Sequence, residues 1–167
     1  RLAELAMILV DPMERDGAME QSFLIKPDGW EISPEMAAVN GLTPELLNEQ
    51  GVPVADAIAA YVAAIDHGAI VVAHNAQFDL KILRGELRRA KMPDLFEETK
   101  NICTMRGLTE TVKAPKVNGK GFKFPKLSEA MSHFGGFPAT EHNALTDARD
   151  CLFLFRKMVD LDLVPEA

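Results

Sequence analysis

His142 and Asp147 stand five residues apart in Glu141-His142-Asn143-Ala144-Leu145-Thr146-Asp147, a titratable base followed by a carboxylate. Apolar residues then recur at helical spacing. That places the histidine at the mouth of a helix and the carboxylate on its first turn, at the edge of the packed face. A second carboxylate, Asp79, closes the run Val71-Val72-Ala73-His74-Asn75-Ala76-Gln77-Phe78-Asp79. It lies three residues after Ala76 and four before Leu83, and so falls on the apolar stripe of another helix.

A carboxylate on a packed face is costly unless a cation or hydrogen bonds compensate it. An arginine partner or a capping role would explain either acid alone. Two clustered acids repel and raise each other's pKa unless a cation lies between them. Hard oxygen ligands select Mg²⁺ or Mn²⁺, and no cysteine–histidine set in this chain favours zinc. Within a helix His142 would lie ~140° around the axis from Asp147, but on the preceding loop it can bend toward the same place. A histidine titrating near neutrality can take a proton from an attacking water. The three residues together spell a divalent-metal hydrolase.

The elements that must position these groups read as follows. Leu2 to Val10 is an apolar run that predicts a strand. Turn chemistry at Asp11-Pro12 and Asp16-Gly17 leads into a second strand at Ser22–Lys26, making a hairpin. Ser33-Pro34-Glu35 and Thr43-Pro44-Glu45 each open a short helix with a cap followed by proline. A longer helix runs from Pro53 to Asp66, and Ala69–Ala73 is a short buried strand. Asn75 can cap the helix that follows, whose stripe is Ala76, Leu80, Leu83, Leu87 and Ala90. Phe96–Cys103 is expected as a further strand. A helix then starts at Met105, another spans Leu127–Phe134, and the last carries Ala144, Leu145, Ala148, Cys151, Leu152, Phe155, Met158 and Val159. Hairpin, helices, strand, helix, strand, helices is the order of a single α/β domain with a mixed sheet, over residues 1–167.

The chain has 25 acidic and 18 basic residues, a net charge of −7, which argues against a general nucleic-acid coat protein. It leaves room for an enzyme that grips a short stretch of strand through a local cationic patch. Such a patch lies between Thr111 and Ser128, where Lys113, Lys116, Lys120, Lys123 and Lys126 occur with no acid and with Phe122 and Phe124 interleaved. Lysines neutralise phosphates, and an aromatic ring stacks on an unpaired base. The same segment also reads as a solvated loop with two aromatics tucked into the core. Cys103 and Cys151 lie in apolar settings and suit free thiols in a reducing cytoplasm. No apolar stretch approaches the ~20 residues of a membrane span.

His74-Asn75-Ala76-Gln77-Phe78-Asp79 resembles the second motif of the DEDD exonucleases, and His142 with Asp147 resembles the third motif of their histidine subclass. That subclass includes the proofreading subunit of bacterial DNA polymerase III, ribonuclease T and oligoribonuclease. Ala38-Val39-Asn40-Gly41-Leu42-Thr43-Pro44-Glu45-Leu46-Leu47 is similar to the segment joining the first strands to the second motif. Lys126-Leu127-Ser128-Glu129 resembles the lead-in to the third. The resemblance covers nearly the whole chain, in the right order.

It implies a ribonuclease H-like fold, a mixed sheet flanked by helices, and removal of nucleotides from a 3′ end by two-metal hydrolysis. Asp79 and Asp147 would be ligands of two Mg²⁺ or Mn²⁺ ions, His142 the general base, and Phe78 part of the site wall. His74, Asn75, Lys116, Lys120 and Lys123 complete the expected substrate contacts, although His74 at a strand end also reads as structural. The expected substrate is a single-stranded 3′ end, DNA before RNA, with a DNA polymerase as partner in the cytoplasm. The alternative is a nucleic-acid-binding or polymerase-associated module of the same fold with impaired catalysis.

One departure stands out. The family's first motif, an aspartate and a glutamate two residues apart on the first and central strand, is not in this sequence. Arg1-Leu2-Ala3-Glu4-Leu5-Ala6 resembles the segment that begins the second strand, so Glu4 belongs to the neighbouring strand and does not replace the missing acids. The expectation is a sheet without its central strand, in a sequence that begins downstream of the family's usual start.

Overall fold

The computed structural model describes residues 1–11, 13–14 and 16–165. In chain order the elements are β1 (Glu4–Val10), β2 (Ala18–Leu24), α1 (Pro34–Asn40), α2 (Pro44–Gln50), α3 (Val54–Asp66), β3 (Val71–Ala73) and α4 (Ala76–Arg89). Then follow β4 (Asn101–Cys103), α5 (Thr104–Gly107), α6 (Thr109–Val112), α7 (Leu127–His133) and α8 (Ala144–Asp160). The α/β order expected from the sequence is the one observed.

Local chemistry accounts for most boundaries. β1 and β2 pair antiparallel from Glu4↔Leu24 to Val10↔Ala18, so the second strand starts earlier than its apolar residues suggest. Asp11 builds the turn side of the hairpin by accepting the Met13 N–H on its carboxylate at 2.8 Å; Pro12 of the expected turn lies outside the described residues. Ser33 and Thr43 cap α1 and α2, taking the N–H groups of Met36 and Leu46 at 3.3 and 3.1 Å, with proline at the first helical position of each. Gly41 ends α1 at φ 71°, a left-handed conformation that suits glycine. Gly51 ends α2 where any Cβ would collide with the backbone of Leu47 and Lys26.

The strand expected over Phe96–Cys103 shortens to Asn101–Cys103. Asp94 is the reason. Its carboxylate accepts the Phe96 N–H at 3.2 Å and both Arg84 and Arg88, while the Thr99 hydroxyl donates to the Leu95 carbonyl at 2.6 Å. Those bonds curl the segment into turns before β4 begins.

β3 and β4 pair in parallel, Val71↔Asn101 to Ala73↔Cys103, and β1–β2 forms a separate two-stranded sheet. Among the described residues no strand joins the two, in line with the expected sheet lacking its central strand. α8 packs against both β1 and β3 and so spans the two halves. One core gathers Leu2, Ile25, Ala57, Ile58, Tyr61, Ile65, Leu83 and Leu87 between the hairpin, α3 and α4. The other gathers Leu108, Ala130, Met131, Leu154 and Met158 under α8. On α8 the buried positions are Cys151, Leu154 and Met158; Val159, expected inside, is exposed. Ala90, expected on the α4 stripe, is likewise exposed.

Glu86 is the buried charge of the first core, 2% exposed. It accepts the Leu2 N–H at 2.9 Å and pairs with Arg1 and Arg89 at 3.3 and 3.0 Å. A carboxylate so placed needs those partners, because removing them would leave an uncompensated buried charge. It ties the start of the chain to α4.

Candidate active site

The mouth of α8 is held by a reciprocal pair of bonds. The Asn143 side chain accepts the Thr146 N–H at 2.9 Å, and the Thr146 hydroxyl oxygen accepts the Asn143 N–H at 3.3 Å. The Thr146 hydroxyl in turn donates to the Glu141 carbonyl at 2.6 Å. His142 lies between Glu141 and Asn143, so both its neighbours are fixed by one threonine. From β1, Glu4 reaches the same helix start and accepts the Ala144 N–H at 3.1 Å, where a negative group suits the helix N-terminus. Glu4 thus serves as an anchor for α8.

Asp147 occupies the first turn of α8, and Asp79 the first turn of α4. Both α4 and α8 pack against β3, and the charge of Asp147 acts on Asp79. Burial raises the Asp79 pKa to about 6, its own backbone N–H pulls against that, and the charge of Asp147 pushes it higher. Asp147 is also raised, by burial first; His142 opposes the shift and Asp150 adds to it. His142 and Asp147 line the same hollow, and the charge of Asp147 reaches Asp79.

The expectation that both acids sit on greasy packed faces needs correction. Water reaches both side chains. Both acids are exposed at the starts of their helices, and Asp147 lines an open hollow rather than the core. Crowding shifts the pKa without enclosing the group.

His74 is committed elsewhere. Its Nε2 donates to the Pro125 carbonyl at 2.8 Å and its Nδ1 takes the Thr104 hydroxyl at 2.9 Å, which fixes the neutral ring with its proton on Nε2. Burial lowers its pKa, in keeping with a ring that stays neutral. The Thr104 hydroxyl also meets the Cys151 sulfur at 3.7 Å, and burial pushes that thiol up to about 12. A chain of bonds thus links β3, α5, α8 and the lysine segment, and no ring nitrogen of His74 is left for a ligand. Its structural reading replaces the expected substrate contact. Asn75 makes no side-chain cap; it starts α4 through a left-handed backbone at φ 75°. Its exposed amide stays available to a ligand.

Among the lysines, Lys123 is paired. Its Nζ lies 2.6 and 2.8 Å from the Glu129 carboxylate, which also accepts the Lys126 N–H at 2.8 Å. That charge is satisfied within the fold and is withdrawn from the expected phosphate contacts. Lys116 and Lys120 are exposed. Phe78, beside Asp79, is 62% exposed.

Two hollows border His142. One, of about 240 Å³, is lined by Lys126, Leu127, Ser128, Pro138, His142, Asp147 and Asp150 among others. The other, of about 330 Å³, lies between the end of α1 (Val39, Asn40) and the loop Thr140–Asn143. Val39 and Asn40 joined the site only through folding, because α1 is distant in sequence and neither residue is an acid or a base. Two carboxylates with raised pKa suit a hard divalent cation as a partial donor set. No group of three histidine, cysteine or acidic donors is gathered among the described residues.

Comparison with known proteins agrees with this geometry. Residues 1–155 match the family described as Exonuclease. The chain is 28% identical over 160 residues to DNA polymerase III subunit epsilon of Treponema pallidum (strain Nichols), covering 95% of this chain and 68% of that protein. In structure it is similar to exonuclease I of Methylocaldum szegediense, with a TM-score of 0.77 and 22% identity over 95% of this chain and 36% of that one. It is also similar to E. coli exonuclease I in complex with a dA16 oligonucleotide, with a TM-score of 0.74 and 16% identity over 96% and 38%. This chain spans well under half the length of those solved structures. Matched across most of its length and folded as they are, the chain belongs to the exonuclease family, a family of divalent-metal-dependent hydrolases.

Proposed function

We propose that this domain removes nucleotides one at a time from single-stranded 3′ ends, DNA rather than RNA, with His142, Asp79 and Asp147 as its chemical residues. The observation that carries the reading is His142 and Asp147 lining one hollow in a chain matched to the exonuclease family over residues 1–155, with the charge of Asp147 acting on Asp79. Mg²⁺ or Mn²⁺, when bound, would supply positive charge to polarise the phosphodiester. Asp79 and Asp147 would hold the ions, and a bound cation would offset the burial that raises both pKa values. His142 takes the proton of the attacking water, and Asp147 beside it stabilises the imidazolium that results. Phe78 offers a ring to the terminal base and Asn75 an amide to the backbone. Likeness to a polymerase subunit supports a DNA polymerase as partner and, with it, a cytoplasmic setting. Among the described residues no helix is long and apolar enough to cross a membrane.

A second reading, a nucleic-acid-binding or polymerase-associated module with impaired catalysis, is favoured by one observation: no set of three metal donors is gathered among the described residues. One experiment separates the two. A 5′-labelled oligonucleotide is incubated with the full-length protein and Mn²⁺, with and without chelator. The exonuclease reading expects a chelator-sensitive ladder shortening from the 3′ end; an undigested but retarded strand would favour the binding module.

A further inference from the structure

Extended backbone turns successive side chains to opposite faces. In the lysine segment this sorts the residues sharply. Lys123 turns to Glu129, while Phe122 and Phe124 on either side of it are 40% and 55% exposed. The piece is pinned: Phe122 bridges to Pro115, the Lys123 N–H donates to the Ala114 carbonyl at 2.9 Å, and the Pro125 carbonyl is held by His74. Two large rings are thus presented outward by a backbone that is fixed on both sides, which is costly surface for a fold to leave open.

Each ring carries a cation. The Arg106 guanidinium lies 5.8 Å from the Phe124 ring centre, and the Lys113 ammonium 5.9 Å from that of Phe122. Arg106 is oriented by a bond from its Nη2 to the Gln77 side chain at 2.7 Å. Gln77, Phe78 and Asp79 follow one another around the first turn of α4 at roughly 100° per residue. Arg106 and Phe124 therefore lie on the Gln77 side of this turn, next to the exposed Phe78 and roughly 200° around the helix axis from Asp79.

We infer that Phe124 and Arg106 form a second nucleotide subsite, which takes a base and its phosphate from the single strand upstream of the 3′ end. The ring offers a stacking face that any unpaired base can use, and the guanidinium fork matches a phosphate. In a chain of net charge −7 the cations collected here are complementary to a polyanion. Duplex bases are already stacked and have no face to give, so the subsite selects single strands. The inference rests on the nucleic-acid reading above but not on catalysis.

The test is equilibrium binding in chelator, where no strand is cut. Anisotropy of 5′-fluorescein-labelled oligothymidylates two, four and eight nucleotides long is measured with the full-length protein and with Phe124→Ala, Phe124→Tyr and Arg106→Gln. Native protein should bind the longer strands more tightly than the dinucleotide. Phe124→Ala should weaken the longer strands by about tenfold more than the dinucleotide. Phe124→Tyr, which keeps a stacking face, should restore the difference, and Arg106→Gln should reduce its dependence on salt. Equal weakening at every length would make Phe124 a structural residue and overturn the subsite, as would native binding without length dependence. Failure of the exonuclease reading registers separately, as an uncut strand with Mn²⁺ present despite length-dependent binding in chelator.

Discussion

Burial first, and then the charge of Asp147 on the first turn of α8, raise the pKa of Asp79 on the first turn of α4. Two helix starts from distant parts of the chain thereby make one acidic site, and its chemistry can be probed at each member.

Loss of either acid should be severe. Asp79→Asn or Asp147→Asn in the full-length protein is expected to lower kcat by orders of magnitude, read as single-turnover release of the 3′ nucleotide. An unchanged rate for either would remove that acid from the reaction.

His142 should matter to the chemistry more than to binding. His142→Ala is expected to lower kcat by about 10²–10⁴ with little change in KM, read in single-turnover and steady-state assays. A rise in KM with kcat unchanged would make His142 a substrate contact instead.

Asp79 also links stability to pH. Its folded pKa, about 6, lies above the ordinary value of 3.8. The stability this group contributes is therefore full below the unfolded pKa and is lost as pH rises through the folded one. Without metal, Asp79→Asn should be the more stable protein at about pH 8, by on the order of 1 kcal/mol once screening by water is allowed for. That corresponds to roughly 3 °C in Tm, and the gap should close toward about pH 4. Mg²⁺ added at the higher pH should raise the Tm of the native protein and leave the variant unmoved. A variant no more stable than native at about pH 8 would contradict the shift.

The Asn143–Thr146 pair should couple stability to catalysis. Thr146→Val removes the hydroxyl that fixes both neighbours of His142. It is expected to cost about 1 kcal/mol by denaturant unfolding and to lower kcat more than it raises KM. A stability loss with unchanged kcat would separate the helix cap from the placement of His142.

Of the lysines, Lys116 and Lys120 remain for the strand. Replacing both with glutamine should flatten the plot of log affinity against log salt by about 0.7 for each phosphate no longer neutralised. Lys123→Gln should leave that slope alone and instead free Glu129, which is measurable as a change in stability.

What could be read without the fold was local. The caps at Ser33 and Thr43, the helical repeat of α8, and the motif order around Asp79, His142 and Asp147 depend on neighbours within a few residues, and spacing displays such neighbours directly. The tertiary structure decided which polar groups were already spoken for. Lys123 belongs to Glu129, His74 to Thr104 and Pro125, and Glu86 to the beginning of the chain. It also set the depth at which the acids sit, since helical periodicity says which way a side chain points but not whether anything covers it. Asp79 and Asp147 point where the spacing says, yet open space meets them there. A partner dozens of residues away leaves no trace in local spacing, and only packing brings it within reach.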